Sequence, residues 1–371
     1  MKVRSAALLV ALAGLLGLSS PAQAAPANYV ALGDSYSAAS GVLPLDPEAP
    51  VQCLRSNLNY PHVLAEKLGA KLTDVTCGAA ETGHFFEEQY PGVAPQLDAV
   101  GPEADLVTMT IGGNDSGVFI NAILSCGTLG LASLGQGSPC KDTYGSSFED
   151  TINGTTFPSL VKALNAVHAK APAATVAILT YPWIMPETEG CFPQMPVARG
   201  DVPYLRSLQR TLNNAVRRAA QSTGSVLVNL NQASNGHDAC RPAGTRWVEP
   251  VLVGSNPVIV HPNAFGESEM ASETLKVLKE IESPPVEIAP QTRIRRVSVN
   301  SVKRRVKFRL VSSVKGSTFR CRIDRRPMRN CKRTKVFRKL RPGRHVIRAV
   351  AISPSGKKDP TPAVRKFRIV R

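Results

Sequence analysis

The chain of 371 residues is longer than one ordinary domain, and its 45 Lys and Arg against 28 Asp and Glu leave a formal net charge of +17. That charge is uneven: residues 291–371 hold 28 of the basic side chains and only Asp324 and Asp359 as acids, a balance of +26, whereas residues 1–290 balance at −9. Two pieces of opposite charge imply two domains, and the lack of a Walker loop or dinucleotide fingerprint excludes the common nucleotide-cofactor classes; no cofactor is expected.

In chain order, residues 1–24 read as a secretory leader. Lys2 and Arg4 precede an apolar run from Ala6 to Leu18, and Ala22-Gln23-Ala24 forms a small-x-small cleavage site. The run is too short to span a bilayer, and no second spanning segment is expected, so the mature chain should begin near Ala25, secreted and soluble. Short β-branched runs at 29–32, 106–111, 175–179 and 225–230 predict buried strands. Helical spacing of apolar residues at 60–68, 157–169, 202–220 and 268–281 predicts helices between and after them. This alternation is the pattern of an α/β domain, a parallel sheet flanked by helices, over 25–283. The helical pattern stops at Pro284-Pro285, which opens a linker over 284–291.

From 292 to 371 the period changes. Around 297–299, 306–310, 319–323, 346–352 and 367–370 apolar residues alternate with Arg or Lys, as in strands with one wet face. Turns at Pro342-Gly343 and Pro354-Ser355-Gly356 separate them, which predicts a small all-β sandwich. Phe319-Arg320-Cys321-Arg322-Ile323-Asp324, Cys331, Pro342-Gly343-Arg344-His345 and Asp359-Pro360-Thr361-Pro362 make this segment resemble a bacterial Ig-like repeat, from which Arg325-Arg326 departs.

Eight cysteines behind a leader fit disulfides in an oxidising compartment. Pairing sequential neighbours gives Cys53/Cys77, Cys126/Cys140, Cys191/Cys240 and Cys321/Cys331, although spacing alone does not fix the connectivity. Zinc is the competing reading, and it lacks both a C-x-x-C pair and an H-E-x-x-H helix; no metal is expected.

The chemistry concentrates in four words. Gly33-Asp34-Ser35-Tyr36-Ser37 follows the first strand, so Ser35 sits where open α/β sheets place ligands; taken alone, it also fits a capped strand-to-helix turn. Cys77-Gly78-Ala79-Ala80, Ile111-Gly112-Gly113-Asn114-Asp115 and His261-Pro262-Asn263 follow in order. With these words, residues 28–282 resemble the SGNH (GDSL) hydrolase family, whose fold is flavodoxin-like. The resemblance implies a serine esterase or lipase with Ser35 as nucleophile and His261 as base. It also implies an oxyanion hole made by the Ser35 and Gly78 backbone N–H groups and the Asn114 amide. Ester cleavage needs these types, because a serine hydroxyl attacks only when a base takes its proton, and the oxyanion must meet fixed donors.

One position departs from the family: Val258 stands where an aspartate normally steadies the histidine. Secreted actinomycete members are understood to work as Ser–His dyads, and this chain is similar to them in its three early cysteine pairs, so the Val258 carbonyl is expected to hold the ring. The acyl and alcohol parts of the ester stay open. His62, His168 and His237 read as surface or capping residues, and His84 as a candidate pocket neighbour. An α/β-hydrolase elbow fits less well, since Ser37 occupies the position of its second glycine. The basic 292–371 domain is expected to meet an anionic surface such as phospholipid, teichoic acid or acidic polysaccharide. A non-enzymatic surface-binding protein on the same scaffold is the alternative, supported only by the missing acid at Val258.

Overall fold

The computed structural model describes residues 28–282 and 289–371; the leader and most of the 284–291 linker lie outside the described residues. Chain contacts divide it between Lys279 and Glu280 into two compact units.

The first unit is built on five parallel strands: β1 (Asn28–Gly33), β2 (Lys71–Asp74), β3 (Leu106–Thr110), β4 (Thr175–Leu179) and β5 (Val226–Val228), in the order β2-β1-β3-β4-β5. The helices are α1 (Ser35–Ala38), α2 (Tyr60–Leu68), α3 (Val118–Ala132), α4 (Pro139–Tyr144), α5 (Ser147–Thr151), α6 (Phe157–Lys170), α7 (Val202–Thr223) and α8 (Ala264–Glu282). Alternate residues of a strand face opposite sides, so a strand covered on both faces must be apolar throughout. In β1, Val30 and Leu32 join Val107, Met109 and Ile178 against α6 and α7, through Leu160, Leu164 and Val216. Tyr29 and Ala31 join Leu106 and Leu179 against α2 and α8, through Tyr60, Leu64 and Met270.

This strand order reverses direction at β1 and β3, so their carboxyl ends open the crevice where doubly wound sheets place their sites. The sequence reading passed over β2, a short polar edge strand, and α3 to α5. Residues 115–132, which include α3, are long and apolar enough by composition to cross a membrane, contrary to the expectation of no further such stretch; a third of them, 33%, is buried in the fold.

The second unit contains β6 (Thr292–Asn300), β7 (Arg305–Ser312), β8 (Thr318–Ile323), β9 (Arg329–Cys331), β10 (Thr334–Phe337), β11 (Gly343–Ile352) and β12 (Ala363–Ile369). They form two antiparallel sheets, β10-β7-β6 and β12-β11-β8-β9. Val306, Phe308 and Leu310 of one sheet pack with Phe319, Ile323 and Ile347 of the other, while Lys307 and Arg309 point to solvent, as the period-2 pattern requires.

All eight cysteines form disulfides between sequential neighbours: Cys53–Cys77, Cys126–Cys140, Cys191–Cys240 and Cys321–Cys331. Each closes a local loop and stabilises by roughly 2–4 kcal/mol, chiefly by restricting the unfolded chain.

Candidate active site

Ser35 is the first residue of α1, two residues past the end of β1. The turn is tight. Gly33 has φ +125, and a Cβ there would fall 2.4 Å from the Thr110 carbonyl oxygen, so only glycine fits. Asp34 caps α1: its Oδ1 accepts from the Tyr36 N–H at 3.0 Å and from Thr110 Oγ1 at 2.8 Å, and its Oδ2 accepts a short bond from the Tyr181 hydroxyl. Burial outweighs those donors and lifts the Asp34 carboxyl to about 6.

The loop before α8 brings His261 to the serine, with Nε2 at 2.7 Å from Ser35 Oγ. Nδ1 lies 2.7 Å from the carbonyl oxygen of Ile259. A carbonyl only accepts, so Nδ1 carries the proton, Nε2 offers its lone pair, and the Ser35 hydroxyl donates to it. Burial pushes the imidazole down to about 4, against a smaller opposing effect of the Ile259 carbonyl. The ring lies between Tyr36, at 5.1 Å between centroids, and Phe119, at 6.0 Å. The Tyr36 hydroxyl donates to the Val260 carbonyl at 2.6 Å and fixes the preceding backbone.

The carbonyl on the ring is therefore that of Ile259 and not that of Val258. The Val258 N–H is held at 2.9 Å by Asn256 Oδ1, and its side chain packs on Gly41. Val260 then takes a left-handed conformation, φ +53, which folds the chain so that the carbonyl two residues before the histidine meets its ring.

A second correction concerns Gly78, whose N–H is already committed to the Cys53 carbonyl at 2.9 Å. Its lack of a side chain serves packing, since a Cβ would fall 2.9 Å from Ser40 Oγ and 3.0 Å from the Cys53 oxygen. The next residue, Ala79, takes the left-handed conformation, φ +62, and its N–H has no hydrogen-bond acceptor among the described residues. The Ser35 N–H has none either, as expected at the first position of a helix. Beyond β2 the chain keeps step with β1, the Val75 N–H on the Ala31 carbonyl and the Cys77 N–H on the Gly33 carbonyl, as far as two residues before Ala79 and two before Ser35. Asn114 Nδ2 donates to the Ala80 carbonyl at 3.0 Å, which uses one of its two amide hydrogens.

The remaining histidines are engaged elsewhere. His62 Nδ1 pairs with Asn59 Oδ1, His168 with the Ser225 hydroxyl, and His237 with the Thr245 carbonyl. His84 Nδ1 accepts from the Glu81 N–H at 2.9 Å. No group of three or more His, Cys, Asp or Glu able to hold a metal ion occurs among the described residues.

Beside the Ser35–His261 pair lies an apolar pocket of about 700 Å³, its open mouth included. Gly113 and Val260 border it next to Asn114 and His261, α3 supplies Val118, Phe119, Ala122 and Ile123, and α7 supplies Leu205, Leu208 and Leu212. The sequence reading missed this lining because α3 is apolar around its circumference and shows no one-sided stripe. It also missed Ala79 and Ile259, whose parts depend on backbone conformation.

Residues 31–268 match the GDSL-like Lipase/Acylhydrolase family. Lipase 2 of Streptomyces coelicolor is 60% identical over 263 residues, covering 70% of this chain and 89% of that protein. Among solved structures, phospholipase A1 from Streptomyces albidoflavus NA297 aligns with a TM-score of 0.57 at 27% identity, over 69% of this chain and 99% of that one. The extracellular lipase of Streptomyces rimosus aligns at 0.55 and 28%, over 68% and 98%. With that extent of match, the chain belongs to the GDSL-like lipase/acylhydrolase family and is a carboxylic ester hydrolase.

Proposed function

We propose that this chain is a secreted lipase or esterase working through a Ser35–His261 dyad, with the Ile259 carbonyl in place of a carboxylate. The observation that carries the reading is the 2.7 Å contact between Ser35 Oγ and His261 Nε2, with the ring tautomer set by Ile259. As Ser35 Oγ bonds to the ester carbonyl carbon, its proton passes to Nε2. The tetrahedral oxyanion is met by the N–H groups of Ser35 and Ala79 and by the free hydrogen of the Asn114 amide. The imidazolium then protonates the leaving alcohol oxygen. Water repeats the sequence on the acyl-serine, giving up a proton to Nε2, and the carboxylic acid leaves with Ser35 restored. A carbonyl supplies less negative charge than a carboxylate, so the imidazolium is steadied mainly by the oxyanion beside it. The apolar pocket suits the acyl chain of a lipid ester.

The non-enzymatic alternative rested on the missing acid at position 258, and the Ile259 carbonyl removes that support. Secretion is supported by the four disulfides in the structure. The basic unit over 292–371, at +26, is the part we assign to an anionic surface such as phospholipid, teichoic acid or acidic polysaccharide. Hydrolysis of a soluble chromogenic ester, abolished by Ser35→Ala and by His261→Ala, tests the dyad. Turnover that survives Ser35→Ala would refute it.

A further inference from the structure

We propose that the solvent face of α3 is the surface by which this hydrolase rests on aggregated, uncharged ester lipid. The inference depends on reading the Ser35–His261 pocket as the ester site.

A helix on the outside of a soluble domain normally turns charged or polar residues to water. In α3 both sides are largely apolar and neither carries a charge, with Asn121 and Thr128 as exposed polar residues. Its inner side lines the pocket with Val118, Ala122 and Ile123, and Phe119 lies against the His261 ring. On its outer side Ile120, Leu124 and Leu131 are 47%, 56% and 53% exposed, and Leu134 just beyond is 76% exposed. Steps of four and seven residues keep Ile120, Leu124 and Leu131 within one narrow stripe of the helix. No Asp, Glu, Lys or Arg occurs from Ser116 to Cys140, in a chain of which 20% is charged. The same pocket is bordered elsewhere by Val251, and the two residues after it, Leu252 and Val253, are 47% and 82% exposed. Exposed apolar side chains thus flank a pocket that is itself apolar.

The occupant follows from length and charge. With 15 residues α3 is about 22 Å long, short of the ~30 Å bilayer core, and its inner side is occupied by the pocket; it lies on a lipid surface without crossing one. A face without charge complements a neutral ester aggregate and offers nothing to an anionic headgroup or polyanion.

The test uses the full chain carrying Ser35→Ala, so that binding is read without turnover, and follows its flotation with trioctanoin droplets. The Leu124→Lys/Leu131→Lys pair should reduce droplet binding by about tenfold or more, since two leucines that enter lipid are replaced by hydrated charges. With Ser35 intact, the pair should hydrolyse a soluble short-chain ester within twofold of the parent. If the pair does not fold, the single Leu124→Lys and Leu131→Lys variants carry the test, each with a reduction of about threefold. Equal flotation of parent and variants would overturn the proposal. So would light scattering showing a parent dimer that the lysines dissociate, because a second copy would then cover the face. Loss of soluble ester hydrolysis in the parent itself would instead strike the dyad reading, independently of droplet binding.

Discussion

Gln89 Nε2 donates to the carbonyl oxygen of Gly78 at 2.6 Å, and that carbonyl shares one rigid peptide plane with the N–H of Ala79. In a trans peptide the two point opposite ways, so holding the oxygen on one side aims the N–H to the other. Gln89 makes no hydrogen bond to Ser35 or His261; on the mechanism proposed above it is a positioning residue for the Ala79 N–H. Gln89→Ala should lower kcat on a soluble ester by about tenfold with KM nearly unchanged, a part of the loss expected when a donor is removed outright. Steady-state kinetics that show a KM effect alone would remove the donor assignment from Ala79.

Asn114 is the direct counterpart. Asn114→Ala removes the free amide hydrogen and the bond to the Ala80 carbonyl together, and should cost about 10²–10³-fold in kcat, or ~2.7–4 kcal/mol of transition-state stabilisation. Binding of a soluble substrate to the Ser35→Ala protein, measured by calorimetry, should be little changed by the same substitution.

The buried imidazole sets the acid side of the pH profile. His261 acts as a base only when neutral, and burial brings it down to about 4, so kcat/KM on an uncharged soluble ester should hold through pH 5 and fall near pH 4. A fall near 6 would instead mark Asp34, lifted to about 6, as a group whose ionised form the site needs. Stability moves as well. Between the ordinary histidine value of 6.5 and about 4 the unfolded chain binds the proton that native His261 refuses, so this group's contribution is present above 6.5 and lost as pH falls through that window. Asp34 works in the opposite sense from about 6 down to 3.8, where the native state holds the extra proton. Comparing melting temperatures of the parent and His261→Gln across pH 4–7 separates the two.

Pocket depth should set acyl preference. Gly127 lines the pocket, and a Cβ there would lie 3.7 Å from Pro196 Cγ, so a methyl is accommodated and a bulky side chain must project into the cavity. Gly127→Leu should lower kcat/KM for a hexadecanoyl ester relative to a butanoyl ester by about tenfold or more. An unchanged ratio would show that the acyl chain lies elsewhere.

Ser35, Asn114 and His261 were legible in the sequence because each sits in a short polar word beside an apolar run. The central strands were legible because burial on both faces makes them mostly apolar and β-branched, with Thr108 and Thr110 the buried polar residues of β3. The local errors share one cause. The family resemblance puts the donor at the glycine of that word, whereas Ala79 takes the left-handed position at φ +62 and Gly78 gives its space to Cys53. Val258 stands at the family's aspartate position three residues before His261, and the turn at Val260 shifts the contact by one residue; a β-branched side chain gives no warning of positive φ. At β2 the sequence Lys71-Leu72-Thr73-Asp74 carries no apolar run, because an exposed edge strand is specified by its neighbour more than by its own residues.

The Cys53–Cys77 bridge ends one residue before Gly78, and the Gly78 N–H rests on the carbonyl of the same Cys53. The segment bearing the Ala79 amide is thus stapled to the loop that follows the nucleophile, by a bond that exists only after oxidation. In a reducing cytosol both thiols stay open, and the alignment of nucleophile and donor is left to Gln89, Asn114 and the bond to the Cys53 carbonyl. Closing the bridge takes an electron acceptor, so on the mechanism proposed above the donor segment should be held least firmly in a newly made, still reduced copy.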